Sequence, residues 1–189
     1  MKRAESKTSH VVAQGRIDTP MGTMTAAVTQ RGLAGLWFDR QQHHPGTLDA
    51  ARDDGHEHVR ATKRWLDAYW RGERPDNVAL DPEGTPFQQD VWRALLAIEP
   101  GSTCCYGDIA AAIGRPAASR AVGAAVGRNP VGIIVPCHRV IGRDGTLTGY
   151  AGGLDRKQRL LAHEGSTTAS MRAMPLFGDA RVSVKAAAA

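Results

Sequence analysis

Apolar residues come first in three short runs, VVAQGRI (11–17), TMTAAVT (23–29) and LAGLWFD (33–39). Each has strand length. Asp18-Thr19-Pro20-Met21-Gly22 and Gln30-Arg31-Gly32 supply turn residues between them, which predicts an antiparallel meander. The polar stretch HHPGTLDAARDDGHE (43–57) reads as a loop with one short helical turn. The period then changes: in HVRATKRWLDAYWRG, Val59, Leu66, Tyr69 and Trp70 fall on one helical stripe and Gly72 is placed to stop it.

ERPDNVALDPEGTP, with three prolines, reads as the link between two halves. A second helix follows. Thr85 can cap it, Pro86 suits its first position and Gln88 completes a capping box. Phe87, Val91 and Leu95 form its apolar face, and Pro100-Gly101 is its expected end. Two short helical segments, YGDIAAAIG and PAASRAVGAAVG, are joined tightly at Gly114-Arg115, the length and turn of a helix-turn-helix. VGIIV (131–135) reads as a buried strand, and the glycine-rich GTLTGYAGG leads into a last helix, LDRKQRLLAHEG, stopped by Gly165. The tail from Ser166 to Ala189 reads as a mobile extension.

The totals narrow the picture modestly. The chain has 189 residues, 42% of them hydrophobic, enough for a real core. No apolar run approaches the roughly 18 residues of a membrane helix. The basic start MKRAESKTSH is followed by no apolar stretch, so no secretion signal is expected. Three cysteines with no such signal read as reduced thiols of a cytoplasmic protein. Cys104 and Cys105 are adjacent and no CxxC pair exists, so no metal is expected. A net charge of +5 leans toward an anionic partner.

Candidate chemistry lies in the second half. Arg120, Gly123, Ala124 and Gly127 follow i, i+3, i+4, i+7 spacing, giving one helix face with a single long cation and almost no other side chain. Such a face suits close approach to a nucleic-acid groove or tight packing against another helix, and spacing leaves both open. Cys137 follows the apolar run with His138 beside it, either a thiol with its base or an inert buried thiol with an unrelated histidine. Glu164 falls three and four residues after Leu161 and Leu160, a carboxylate set against the helix dipole near an inner face. It could orient His138 or sit in water on a frayed turn. Tyr106 and Tyr150 could each contact a ligand or edge the core.

The stretch RAVGAAVGRNPVGIIVPCHRVIGRDGTLTGYAGGLDRKQRLLAHEG, and above all its PCHRV core, resembles the O6-alkylguanine-DNA alkyltransferases, most of all their bacterial Ogt-type members. The likeness is dense from about Thr85 to Gly165. It implies a two-domain α/β fold. Residues 1–80 would form a ribonuclease-H-like α/β roll with an antiparallel sheet, and 81–167 a mostly α domain with a helix-turn-helix, leaving 168–189 as a flexible tail. It implies a methylated-DNA–protein-cysteine methyltransferase activity that works once and needs no cofactor. The partner would be double-stranded DNA carrying O6-alkylguanine, and also O4-alkylthymine, bound by a monomer. Under it Cys137 is the alkyl acceptor, His138 relays its proton through a water and Glu164 orients the imidazole. Arg120 takes the place of the extruded nucleotide, Tyr106 helps rotate it out, and Asn129 braces the helix-turn-helix against the active-site segment. The backbone of Cys137 and Val140 accepts from the guanine amino group, and Tyr150 and Ala151 line the pocket. The rival readings are a cysteine hydrolase using Cys137 and His138, and a helix-turn-helix protein that recognises lesions without chemistry.

Overall fold

The structure is a computed structural model, and it describes residues 10–166. The expected mobile tail lies outside the described residues apart from Ser166, which is buried with its N–H bonded to the Leu161 carbonyl at 2.9 Å. The meander is present: β1 (Ala13–Ile17), β2 (Met24–Val28) and β3 (Leu33–Phe38) pair antiparallel in the order β1-β2-β3. Helix α1 (Glu57–Trp70) lies over this sheet. Its Val59 sits so near Gly15 that a Cβ there would come within 2.4 Å of Val59 Cγ1. Gly72 adopts φ +71° just past the helix end, the left-handed stop that glycine accepts without strain. The loop before α1 has no helix between Asp39 and His56. The expected helical turn is replaced by turns and by pairing of Gln14 with Arg52.

Helix α2 (Pro86–Leu95) begins with the Thr85–Gln88 capping box that the sequence predicts. It ends before Pro100. Ala97 and Ile98 donate to the carbonyls three residues back, a tighter winding that buries Ile98 and leaves Leu96 exposed. β4 (Cys104–Cys105) leads into α3 (Tyr106–Ala112), and after a 3₁₀ turn at Pro116–Ala118 comes α4 (Ser119–Gly127). β5 (Val140–Ile141) pairs parallel with β4, and α5 (Leu154–His163) closes the described chain, followed by Gly165 at φ +75°.

The second half also completes the first. The free edge of β3 is covered by two segments: Leu33 exchanges backbone hydrogen bonds with Ala79 and Asp81, and Leu36 with Pro130 and Gly132. An exposed strand edge invites pairing with other chains, and here it is used internally. One apolar cluster therefore runs from Val28 and Leu36 through Leu66 of α1 to Leu95, Val122 and Leu160. The architecture is α/β, a small antiparallel sheet with its helix and then a mainly helical part.

One expected strand is absent. VGIIV forms consecutive turns, joined to β3 only through the pairing of Val131 with Leu36. The Asn129 side chain is the cause. Its Oδ1 accepts from the Val131 N–H at 3.0 Å, and its Nδ2 donates to the carbonyls of Val131 at 3.2 Å and Val135 at 2.8 Å. Those groups would otherwise enter a ladder, and a local side-chain partner competes with regular structure. Ile133 is forced to φ +67°, which costs a β-branched residue about 1–2 kcal/mol.

Candidate active site

Cys137 opens a one-turn 3₁₀ helix, Cys137–Arg139, instead of leaving the end of a strand. This corrects the simplest reading of the apolar run, and it matters chemically. Successive side chains of a strand point oppositely, whereas a tight turn lets neighbours share a side. Cys137 is 7% exposed and His138 fully buried. Asn129 Nδ2 donates to Cys137 Sγ at 3.1 Å, so the amide that shapes the turn also holds the sulfur.

Burial pushes the Cys137 thiol above its ordinary value, while the Asn129 hydrogen bond and the nearby Lys157 charge pull the other way. The resting group is therefore the thiol, and an anion has to be made when it is needed. Burial also holds His138 below its usual value, against the opposing pull of Glu164, so the imidazole rests neutral. His138 Nε2 lies 2.8 Å from Glu164 Oε1. A carboxylate accepts and does not donate, so the proton sits on Nε2 and Nδ1 carries a lone pair. That Nδ1 is buried and has no hydrogen-bond partner among the described residues, which leaves its lone pair able to accept a proton.

Glu164 is the residue that ends α5, and its side chain is only 2% exposed. Against the helix dipole it is sustained by Arg139, whose Nε bonds Oε2 and whose Nη2 bonds Oε1, both at 2.8 Å. Arg139 Nη1 also reaches the Ile98 carbonyl. Burial alone would raise the Glu164 carboxyl, but the hydrogen bonds from His138 and Arg139 and the Arg139 charge hold it well below the usual carboxylate range. Tyr69, from α1, donates to Oε1 at 2.8 Å.

The glycine-rich loop closes over this group. The Tyr150 ring stands edge-on to His138, with centroids 6.4 Å apart. A side chain at Gly152 would strike that ring, coming within 2.6 Å of Tyr150 Cε1. The Ala151 carbonyl accepts from Gln42 N–H at 2.9 Å, which ties the loop to the sheet part. Fully buried Lys157 donates through Nζ to the carbonyls of Val140 and Thr148, at 2.6 and 2.5 Å. Burial depresses its ammonium to about 8.

Of the residues singled out from sequence, Cys137, His138 and Glu164 therefore fall in one buried cluster, with Asn129 bonded to the sulfur and Tyr150 beside the imidazole. Val140 is buried one turn on and Ala151 lies in the loop above. Arg120 and Tyr106 lie outside that cluster. Arg120 is exposed on α4 with Ala124, and among the described residues nothing stands within 4 Å of a Cβ built at Gly127. Tyr106 lies half-buried beside Gly123, its hydroxyl 3.1 Å from Thr148 Oγ1. Cys104 and Cys105 are buried packing residues. Three residues were missed. Arg139 sat inside the motif. Lys157 is a charge on the apolar stripe of α5, a readable anomaly. Tyr69 lies 95 residues from Glu164 and looked like one more core aromatic. A cavity of about 670 Å³ between Arg31, Trp37, Asp81 and Arg128 holds none of these groups.

Comparison with known proteins identifies relatives of this chain. Residues 86–166 match the family model described as 6-O-methylguanine DNA methyltransferase, DNA binding domain. A methylated-DNA–protein-cysteine methyltransferase of Methanosarcina acetivorans is 48% identical over 150 residues, 79% of this chain and 96% of that protein. One from Mycobacterium tuberculosis is 48% identical over 151 residues, 79% of this chain and 90% of its own. The crystal structure of Mycobacterium tuberculosis OGT in complex with DNA superposes with a TM-score of 0.76 at 43% identity, covering 85% of this chain and 99% of the other. With nearly the whole length of these relatives matched at such identity, the chain belongs to the methylated-DNA–protein-cysteine methyltransferase family.

Proposed function

We propose that this protein repairs DNA directly, moving an alkyl group from O6-alkylguanine, and also from O4-alkylthymine, onto Cys137 Sγ, once per molecule. The observation that carries the residue assignment is the buried Cys137–His138–Glu164 cluster, whose Nδ1 has no partner among the described residues. The thiol proton passes to His138 Nδ1 through a water, and Glu164 steadies the imidazolium through Nε2–H. The thiolate attacks the alkyl carbon, the C–O6 bond breaks, and its electron pair moves into the guanine ring. The proton returns from the imidazolium to the base. The products are unmodified guanine and a thioether, which water does not cleave, so the sulfur is spent. The amide of Asn129 supports the sulfur as charge develops on it.

The target atom lies inside a stacked duplex, so the nucleotide must leave the stack, at a cost of a few kcal/mol. In this reading α3 and α4 act as a helix-turn-helix placed in the minor groove by the nearly bare face of α4. Arg120 fills the space of the extruded nucleotide and Tyr106 assists its rotation. The carbonyls of Cys137 and Val140 accept from the guanine amino group, with Tyr150 and Ala151 lining the pocket. The division into a ribonuclease-H-like roll over 1–80 and a DNA-binding domain over 81–167, acting as a monomer, belongs to the same reading. The test is to incubate the protein with a duplex carrying O6-methylguanine and weigh its peptides. One methyl increment on the Cys137 peptide, at one equivalent per protein and absent in Cys137→Ala, is expected. An unchanged mass, or repeated turnover as a hydrolase would give, overturns the reading.

A further inference from the structure

The carboxylate that steadies His138 answers to a third group, from a part of the chain remote from the reactive motif. Three donors meet on one oxygen: Tyr69 Oη, His138 Nε2 and Arg139 Nη2 all lie 2.8 Å from Glu164 Oε1. We infer that Tyr69 of α1 is a positioning residue for alkyl transfer, its hydroxyl sharing that oxygen with His138 and so setting the pH at which the imidazole can accept the thiol proton. The inference rests on the Cys137–His138–Glu164 assignment above.

The effect is electrostatic. An oxygen that receives several hydrogen bonds has less charge to offer each donor. With Tyr69 in place, Glu164 holds the Nε2–H tautomer without drawing so hard that the ring becomes an imidazolium at rest. Without the hydroxyl, the carboxylate favours the protonated ring, and a ring already protonated cannot accept from sulfur. The other charges facing the imidazole are Arg139 and Lys157, both cationic, which oppose its protonation. Cys137 and Tyr150 are pushed up by burial and stay neutral around pH 7.

Tyr69 is built to stay in place. It is 6% exposed, its ring stacks on Trp65 at 5.4 Å and meets Trp70 edge-on at 5.0 Å. His163, the neighbour of Glu164, places Nε2 at 2.9 Å from the Tyr69 carbonyl and its ring 5.0 Å from the phenol ring. The end of α1 and the end of α5 are thus joined by two hydrogen bonds, one of which touches the reactive network, and by ring contacts of His163. Burial and the Glu164 charge drive the Tyr69 hydroxyl far above its usual value, so it remains a donor across any working pH.

The test is the pH profile of single-turnover transfer from an O6-methylguanine duplex, for the wild type, Tyr69→Phe, and a protein with 3-fluorotyrosine at position 69. Tyr69→Phe deletes one oxygen and leaves no buried donor unpaired, so it keeps the fold. A hydrogen bond to a charged group is worth roughly 1–2 pK units, and here it is shared among three donors. The acidic limb of the Phe variant should therefore move up by about 0.5–1 unit, with a rate loss of roughly 3- to 10-fold on the limb. That loss should vanish at higher pH. Fluorotyrosine, a stronger donor, should move the limb down. A loss uniform in pH, superimposable profiles, or a shift of the wrong sign overturns the role of Tyr69 while the acceptor assignment stands. If the wild type places no methyl group on Cys137, both fall.

Discussion

Replacing Asn129 by alanine should cost more than its size suggests, and the cost can be worked from its three bonds to the backbone. The Val131 N–H has Asn129 Oδ1 as its acceptor, and it would be left buried and unpaired, at about 1–3 kcal/mol. The carbonyls of Val131 and Val135 fare better. Each keeps a backbone donor, Val135 N–H at 3.1 Å and Cys137 N–H at 2.8 Å, so each loses only one of two bonds. Those losses, with the void left by the amide, add about 1 kcal/mol. The sum is about 2–4 kcal/mol, a large share of the roughly 5–15 kcal/mol that holds a domain together. With an m-value of about 2 kcal/mol per molar urea, the unfolding midpoint should fall by on the order of 1–2 M while m stays constant. Asn129→Asp sharpens the test. It preserves volume and the Val131 bond but aims an oxygen at two carbonyls and a sulfur, so it should lose more than Asn129→Ala. An alanine variant within about 0.5 kcal/mol of the wild type, or an aspartate variant more stable than the alanine one, would refute this account of the turn.

Two further outcomes follow from the same structure. Arg120→Ala should leave stability within about 0.5 kcal/mol, because the side chain is exposed, yet slow transfer from duplex DNA far more than transfer from a free alkylated guanine base. Equal losses on both substrates would remove Arg120 from the flipping step. Stability should also decline in acid with a definite sign. Burial keeps His138 below its ordinary 6.5, so the unfolded chain binds that proton first and the fold weakens as the pH drops below 6.5. Glu164 sits below its ordinary 4.5, and the stability it contributes above 4.5 is lost as the pH falls through that value toward its folded pKa. Urea midpoints measured from pH 8 to pH 3 should show the first stage and the onset of the second, and His138→Gln should flatten the first. A wild-type midpoint constant down to pH 5 would contradict the buried neutral imidazole.

How far the chain could be read without its structure depended on whether the deciding interaction was local. The capping box at Thr85, the meander and the glycine stops at Gly72 and Gly165 are each decided by a few neighbouring residues, and they stand where the sequence places them. The turn at 131–135 went the other way because one amide, that of Asn129, overrides five apolar residues that would otherwise suit a strand. Glu164 was legible as an anomaly, an acid where the dipole disfavours one, and Arg139 explains how it is tolerated. Tyr69 left no trace, since a tyrosine on an apolar stripe is the commonest kind of core residue and its partner is far along the chain.

The two-residue ladder between β4 and β5 is short, but what hangs from each side of it is not. Cys104 pairs with Val140 and Cys105 with Ile141. Tyr106 begins the next helix on one strand, and the other strand continues directly from the turn that bears Cys137. Under the proposed function, the segment that would meet a lesion and the segment that would consume it are thus riveted through this ladder. Inserting even one residue on either side would throw them out of step.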